Sequence, residues 1–119
     1  MIVSAPSKAI LKKDFNKSWV IFEPHTYSRV KNHCVDFAKS LINFDNIIIA
    51  DIYAAREENI YNVKPEDIIE ELNKLNHEAI HISDYSDIKN YLNDRVNKDD
   101  LILTLGAGNI TKLSDILTK

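Results

Sequence analysis

Two patterns of apolar and polar positions alternate along this chain, and each occurs four times. Short continuous apolar runs are typical of strands buried on both faces of a parallel sheet, and they predict strands at residues 19–23, 46–51, 79–82 and 100–105. After each run, apolar side chains recur every three or four positions, which is the spacing of one face of an α-helix. The predicted helical faces consist of Val30, Cys34, Phe37, Ala38 and Leu41, then Ile68, Ile69, Leu72 and Leu75, then Tyr85, Ile88, Leu92 and Val96, and last Ile110, Leu113, Ile116 and Leu117.

This alternation predicts an α/β fold: a single domain over residues 1–119, with a Rossmann-like parallel sheet and helices on both faces. The commonest right-handed topology makes the first and last of these strands neighbours, with a crevice above their carboxyl ends. The turns at residues 24–29 and 106–109 follow those two strands, so both are expected at the crevice. Ser4 and Pro6 predict a further short helix to about Lys13, and residues 53–63 predict a longer loop.

Composition and charge narrow the classes of protein. The chain has a formal net charge of −3 and a pI near 5.8, so it lacks the basic surface expected of a nucleic-acid-binding protein. No apolar run approaches the roughly 20 residues that span a bilayer, and the first ten residues lack the features of a signal peptide. We therefore expect a cytoplasmic protein that binds neither nucleic acid nor membrane. The single Cys34 falls on an apolar helical face and is interpreted as a core residue.

The turn at residues 24–29 has the content of a ligand site. Arg29 lies near the predicted start of a helix, where a guanidinium can hold a carboxylate or phosphate through two parallel hydrogen bonds and the helix N–H groups favour the same anions. The alternative is an exposed arginine paired with a surface carboxylate. His25 could donate to a phosphate or move a proton, or it could simply cap the turn. Ser28 is the simplest choice for the N-cap of the helix, and Tyr27 for a packing residue.

The glycine turn after the last predicted strand carries a weaker signal. Gly106 and Gly108, followed by Asn109, permit a sharp turn and a close approach of the backbone to a ligand. The chain has no P-loop, and Thr111 stands where a dinucleotide fingerprint needs a third glycine. A tight strand-to-helix turn without a ligand is the simpler interpretation.

Charged and aromatic residues cluster after the second predicted strand: Asp51, Tyr53, Arg56, Glu57 and Glu58. A loop of this length and charge could close over a ligand or remain solvated. His33 and His81 have no partners at ligand spacing, so no metal site is predicted. His77 follows a predicted helix end, where a cation suits the helix dipole.

Three segments resemble the Mur ligase family and stand in that family's order and spacing. They are residues 22–29 (FEPHTYSR), 51–57 (DIYAARE) and 106–110 (GAGNI). The likeness is to the C-terminal domain of the family and extends from about Pro6 to the end of the chain. A His-His-Pro-Thr-Glu run that many members carry before the first strand is missing, and residues 4–8 stand in its place.

The resemblance implies an ATP-dependent ligase of peptidoglycan synthesis that joins L-alanine to the carboxyl group of UDP-N-acetylmuramate, with Mg²⁺, through an acyl phosphate. It implies that ATP, Mg²⁺ and the sugar nucleotide bind mainly to other domains of a three-domain chain, while this domain helps hold the amino acid and closes over the site. The site residues that it implies are Arg29, His25 and Thr26 for substrate, Tyr53, Arg56 and Glu57 for the cleft loop, and Gly106, Gly108 and Asn109 for the strand-to-helix turn.

Because the P-loop is absent, we expect the 119 residues alone to have no ligase activity. Two other functions remain open at this stage. One is a stand-alone module that binds a small anion or nucleotide without catalysis. The other is a related Mur-type ligase that adds a peptide or a different amino acid, since a fold does not fix a substrate.

Overall fold

The protein folds around one parallel sheet of five strands in the order β1-β5-β2-β3-β4. The computed structural model describes residues 2–4, 16–106, 110 and 112–113. The elements, in chain order, are β1 (Ile2–Ser4), β2 (Ser18–Phe22), α1 (Tyr27–Leu41), β3 (Asn46–Ile49), α2 (Pro65–Lys74), β4 (Ile80–His81), α3 (Tyr85–Arg95) and β5 (Leu101–Leu105).

The predicted neighbours at the point where the strand order reverses are confirmed. Strands β2 and β5 pair in parallel from Ser18 opposite Leu101 to Phe22 opposite Leu105. Since the pairing is in register to the last residue, the two strands end side by side. The turns that follow them therefore start from the same edge of the sheet, as the α/β fold class predicts.

Apolar side chains cover both faces of this sheet. On one face the strands pack against α1 and α2, and on the other against α3 and the helical residues Ile110 and Leu113. Successive residues of β3 point to opposite faces, so Ile47 and Ile49 join the first cluster and Ile48 the second. The helices on both faces explain why the strands are continuous apolar runs.

The first strand was not predicted. Ser4 was expected to cap a helix, but it ends β1 and pairs with Thr104 of β5. A three-residue strand gains its hydrogen bonds from a partner about 100 residues away, so its local sequence carries little signal. The rest of that predicted helix, residues 5–13, lies outside the described residues, as do Ile116 and Leu117 of the last predicted helix.

A second expectation is wrong at the end of α2. Leu75 was assigned to the apolar face of that helix, but the helix ends at Lys74 and Leu75 is 39% exposed. The chain turns away there because Asn76 adopts a positive φ of 60°, a conformation that asparagine tolerates better than most residues. The other residues assigned to the face are in the core: Ile68 and Leu72 are fully buried, and Ile69 packs against them.

The amino ends of β2 and β5 are joined by a buried carboxylate. Asp100 accepts hydrogen bonds from the indole N–H of Trp19 at 3.0 Å and from the backbone N–H groups of Lys17 and Asn97. Burial opposes ionisation of Asp100, yet these hydrogen bonds hold its pKa below the usual range. The bond network fixes the two central strands at the edge opposite the turns.

In the part of the chain that the structure describes, no helix is long and apolar enough to span a membrane.

Candidate functional site

The turn at residues 24–29 is bound to the loop that follows β3, which we call the cleft loop (residues 52–64). The backbone of Tyr53 donates to the carbonyl of Pro24 and accepts from the N–H of Thr26, both at 2.8 Å. The rings of His25 and Tyr53 stack, with centroids 5.7 Å apart and planes 18° apart. His25 and Tyr53 thus extend the pairing of β2 and β3 beyond the sheet. The structure brings together two of the three segments that the sequence singles out.

Thr26, and not Ser28, is the N-cap of α1. Its hydroxyl accepts a hydrogen bond from the N–H of Arg29 at 3.3 Å, and its φ of 66° with ψ of 148° turns the chain from the strand into the helix. Few non-glycine residues adopt this conformation, and a β-branched residue adopts it at a cost. The prediction of Ser28 was wrong because the cap position is set by the bonds between residues 24–26 and Tyr53, which the local sequence does not reveal.

The first turn of α1 holds a carboxylate of the protein itself. Glu57, from the cleft loop, accepts hydrogen bonds from the backbone N–H of Ser28 at 3.0 Å and from its hydroxyl at 2.6 Å. These bonds to Ser28 lower the pKa of Glu57, with a smaller contribution from the charge of His25. The helix N-terminus was expected to favour an anion, and the anion that it binds in this structure is Glu57.

We predict that the Ser28 amide reports the titration of Glu57. In an NMR titration, its resonance should move with a midpoint below 4.5, the usual glutamate value. Because the folded-state pKa is lowered, the stabilisation by Glu57 is present above that usual value and is lost as the pH falls through the folded-state value. Glu57→Ala should abolish the titration, whereas Glu58→Ala, at an exposed neighbouring position, should leave it intact. A midpoint at or above 4.5 would contradict the contact.

Two arginines in these segments are exposed. Arg29 lies on the first turn of α1, and Arg56 lies on the cleft loop with a positive φ of 72°. Within the described residues, no hydrogen bond or ion pair engages either guanidinium. The surface pairing considered for Arg29 is therefore not formed in this structure. Both groups can approach an anionic ligand without first breaking an internal contact.

Gly106, which follows β5, and Ile110 are the described residues of the third segment. Its φ is +153°, and a Cβ added there would lie 2.8 Å from Cγ2 of Ile110 and 2.9 Å from Cβ of Glu23. The glycine lets this turn pass directly beside the end of β2. The close approach of the backbone that was predicted for this glycine is therefore an approach to the protein's own strand. Gly108 and Asn109 lie outside the described residues.

A crevice of about 410 Å³ opens beyond the carboxyl ends of β2, β3 and β4. The crevice was expected between β2 and β5, with the turns at residues 24–29 and 106–109 beside it, but neither the first of these turns nor Gly106 lines this cavity. Neither Arg29 nor His25 lines it. Its walls include Glu23, Asp51 and Ile52 from the first two segments, together with residues 83–85, which were not among the candidate site residues. At its floor the hydroxyl of Tyr85 donates to the buried carboxylate of Glu23 at 3.3 Å, and burial followed by the charge of Glu23 raises the pKa of Tyr85. The lining residues are Glu23, Ala50, Asp51, Ile52, Ser83, Asp84, Tyr85 and Lys112. A second cavity, of about 490 Å³, lies at the opposite edge and contains none of the three segments.

His81 was missed because its partners are far away in the sequence. Asp51 and Glu66 each lie within 2.7 Å of one of its ring nitrogens. The only sequence signal is the position of His81 at the end of a short strand, where α/β proteins bring polar groups together.

Among the described residues, no group of three or more His, Cys, Asp or Glu side chains could hold a metal ion. Cys34 packs against the core, and burial raises the pKa of its thiol to about 11, so a nucleophilic role is disfavoured at neutral pH.

Several known proteins similar to this chain share one name. The proteins named UDP-N-acetylmuramate–L-alanine ligase from Lachnoclostridium phytofermentans, Caldicellulosiruptor saccharolyticus and Clostridium botulinum are 42%, 36% and 40% identical to it over 99, 115 and 114 residues. These matches cover 83%, 97% and 96% of this chain but only 21%, 25% and 25% of the relatives. The chain therefore spans about a quarter of the length of the relatives that it matches. No protein-family model matches it.

A solved structure shares the fold. The UDP-N-acetylmuramate–alanine ligase of Thermotoga maritima superposes with a TM-score of 0.64 over 87% of this chain and 20% of that protein. The sequence identity over the superposed part is 23%, so this likeness speaks for the fold alone. Together, the sequence relatives and the fold confirm the resemblance that the three segments indicated.

Proposed function

We propose that this chain is the C-terminal amino-acid-binding and closing domain of an ATP-dependent UDP-N-acetylmuramate–L-alanine ligase. The chain belongs to the Mur ligase family along the segment that it shares with these relatives. The ligase would act in the cytoplasm in peptidoglycan synthesis. Its product would be the amide between the amino group of L-alanine and the carboxyl group of the sugar nucleotide.

The observation that carries the proposal is the exposed, unengaged guanidinium of Arg29 at the mouth formed by residues 24–29 and the cleft loop. A free amino acid brings a carboxylate, and a guanidinium holds a carboxylate through two parallel hydrogen bonds. Glu57 already occupies the amides at the start of α1, so an incoming carboxylate depends on Arg29 and not on the helix N-terminus. His25 and Thr26 would complete the wall beside it.

Glu57 would also orient the site for its substrate. Its negative charge lies against the N–H of Ser28, the residue that precedes Arg29. A second carboxylate at the same amides would meet that charge and be repelled. The amino acid would therefore bind with its carboxylate toward Arg29, which leaves its amino group free to attack. This orientation is what amide formation at the amino group requires.

ATP and Mg²⁺ would be held mainly by the rest of the ligase. The sequence has no P-loop, and the described residues offer no cluster that could hold a metal ion. The residues of this domain thus do not fit a nucleotide–magnesium site on their own. Their contribution is to bind the amino acid, to position its amino group and, on closure, to exclude water from the reacting carboxyl group.

The first test is made on the 119-residue chain alone. Incubated with ATP, Mg²⁺, L-alanine and UDP-N-acetylmuramate, it should form no amide and release no phosphate, while the complete Clostridium botulinum relative serves as the positive control. Calorimetric titration of the same sample should give millimolar or weaker binding of each substrate. Amide formation would refute the assignment as one domain of a larger enzyme, and tight binding of one substrate would favour a stand-alone binding module.

A further inference from the structure

The ring of His81 lies between two carboxylates. Its Nε2 is 2.6 Å from Oδ1 of Asp51, and its Nδ1 is 2.7 Å from Oε2 of Glu66. The hydroxyl of Ser83 donates to the same oxygen of Asp51 at 2.7 Å. The side chain of His81 is only 21% exposed, whereas those of its two carboxylate partners are about half exposed, at 61% and 48%.

This geometry requires a particular protonation state. A neutral imidazole has one N–H and can donate to only one of the two carboxylates, while the imidazolium donates from both nitrogens. Burial alone would lower the pKa of His81, but the hydrogen bonds from its ring to Asp51 and Glu66 raise it. Although burial opposes ionisation of both acids, their hydrogen bonds lower the pKa of Asp51 and of Glu66.

The two acids stand at the two ends of the cleft loop. Asp51 directly precedes residue 52, and Glu66 lies in the first turn of α2, two residues after the loop ends at residue 64. Between them the loop carries Tyr53, which bonds the turn at residues 24–29, and Glu57, which accepts from the N–H of Ser28 in the first turn of α1. A contact that joins the ends of a loop limits the conformations of everything between them.

We propose that His81, as an imidazolium, is a positioning residue that staples the two ends of the cleft loop and so holds the loop against the turn at residues 24–29. Only the use of that loop in catalysis rests on the proposed function; the staple itself does not. The site is distinct from Arg29, and the sequence motifs that resemble the ligase family do not include His81.

The groups that face the staple set its pH range. Asp51 and Glu66 face His81 directly, Lys64 lies near Glu66, and Tyr85 lies on the far side of Asp51. The raised pKa of His81 means that its contribution is complete below 6.5 and is lost as the pH rises through the folded-state value. The lowered pKa of each acid means that its contribution is present above 3.8 for Asp51 and 4.5 for Glu66, and is lost at lower pH. The staple is therefore complete between about 4.5 and 6.5.

The test is an NMR titration of the 119-residue chain labelled with ¹⁵N at its histidine rings and backbone. At pH 6, both ring nitrogens of His81 should be protonated, and the midpoint should lie above 6.5, the usual histidine value. The Tyr53 amide, which donates to the carbonyl of Pro24, should exchange with solvent faster once the pH rises above the His81 midpoint. This increase should exceed the increase from intrinsic base catalysis, which a neighbouring exposed amide reports. Asp51→Asn should lower that midpoint.

The matched variants are His81→Gln and His33→Gln. At pH 6, His81→Gln should speed exchange of the Tyr53 and Ser28 amides about tenfold, and His33→Gln should leave both unchanged. A His81 midpoint at or below 6.5, or loop amides that do not respond when His81 loses its proton, would overturn the proposal. The titration of the unmodified chain decides the first point even where a variant does not fold. Because no ligase assay is involved, failure of this titration would overturn the staple and leave the proposed function standing.

Discussion

Replacing Arg29 with alanine is expected to raise the KM for L-alanine about 10- to 150-fold, because a charge-assisted pair worth about 1.5–3 kcal/mol is lost. The measurement needs a complete enzyme: a hybrid ligase in which this chain replaces the segment that it matches in the Clostridium botulinum relative. The guanidinium of Arg29 is exposed and bonds no described residue, so its removal should leave the fold intact. The KM for ATP should stay within about twofold of the unmodified hybrid, since ATP would bind elsewhere.

Two further variants separate charge from geometry. Arg29→Lys keeps the positive charge but loses the two parallel hydrogen bonds, so its KM for L-alanine should fall between those of the other two enzymes. Lys31→Ala removes a charge from an exposed position on the same helix and should leave the KM unchanged. If Arg29→Ala and Lys31→Ala had equal effects, Arg29 would contribute only to the general field of the surface.

Gly106→Ala is expected to cost about 2–4 kcal/mol of folding free energy. The new Cβ would meet Ile110 at 2.8 Å and Cβ of Glu23 at 2.9 Å, which is closer than such atoms approach without a shift of the chain. The φ of +153° is itself unfavourable for alanine. Urea unfolding should therefore show a lower midpoint with an unchanged slope.

Asn76→Ala separates backbone conformation from crowding. Asn76 also has a positive φ, of 60°, but it is exposed and follows the end of α2. Alanine in this left-handed conformation should cost about 1–2 kcal/mol, which is less than the cost at Gly106. Equal losses at the two positions would mean that the contact with Glu23 and Ile110 carries no energy.

What the sequence predicted well has a local physical cause. The strands β2, β3 and β5 are apolar runs because helices cover both faces of the sheet, and the faces of α1 to α3 follow from the helical repeat. The cap of α3 is equally local, because the carboxylate of Asp84 accepts from the N–H of Ser86 two residues on, at 2.7 Å. The adjacency of β2 and β5 follows from the preferred handedness of crossovers.

What the sequence missed depends on partners that are distant along the chain. Strand β1 is defined by β5, the cap of α1 by Tyr53, and the occupied helix N-terminus by Glu57 from a different loop. His81 looked isolated because 30 and 15 residues separate it from Asp51 and Glu66. Of the candidate site, the segments at residues 22–29 and 51–57 were recognised as patterns, but their contacts with each other arise only in the folded sheet.

The central claim is that this domain completes a ligase that uses L-alanine. The most direct measurement is amide formation by the unmodified hybrid ligase, with ATP, Mg²⁺, UDP-N-acetylmuramate and each of a panel of amino acids. A second hybrid with the corresponding segment of the Caldicellulosiruptor saccharolyticus relative controls for the junction. We expect the hybrid to form the L-alanine amide in preference to the others. An inactive hybrid beside an active control hybrid, or a preference for another amino acid, would contradict it.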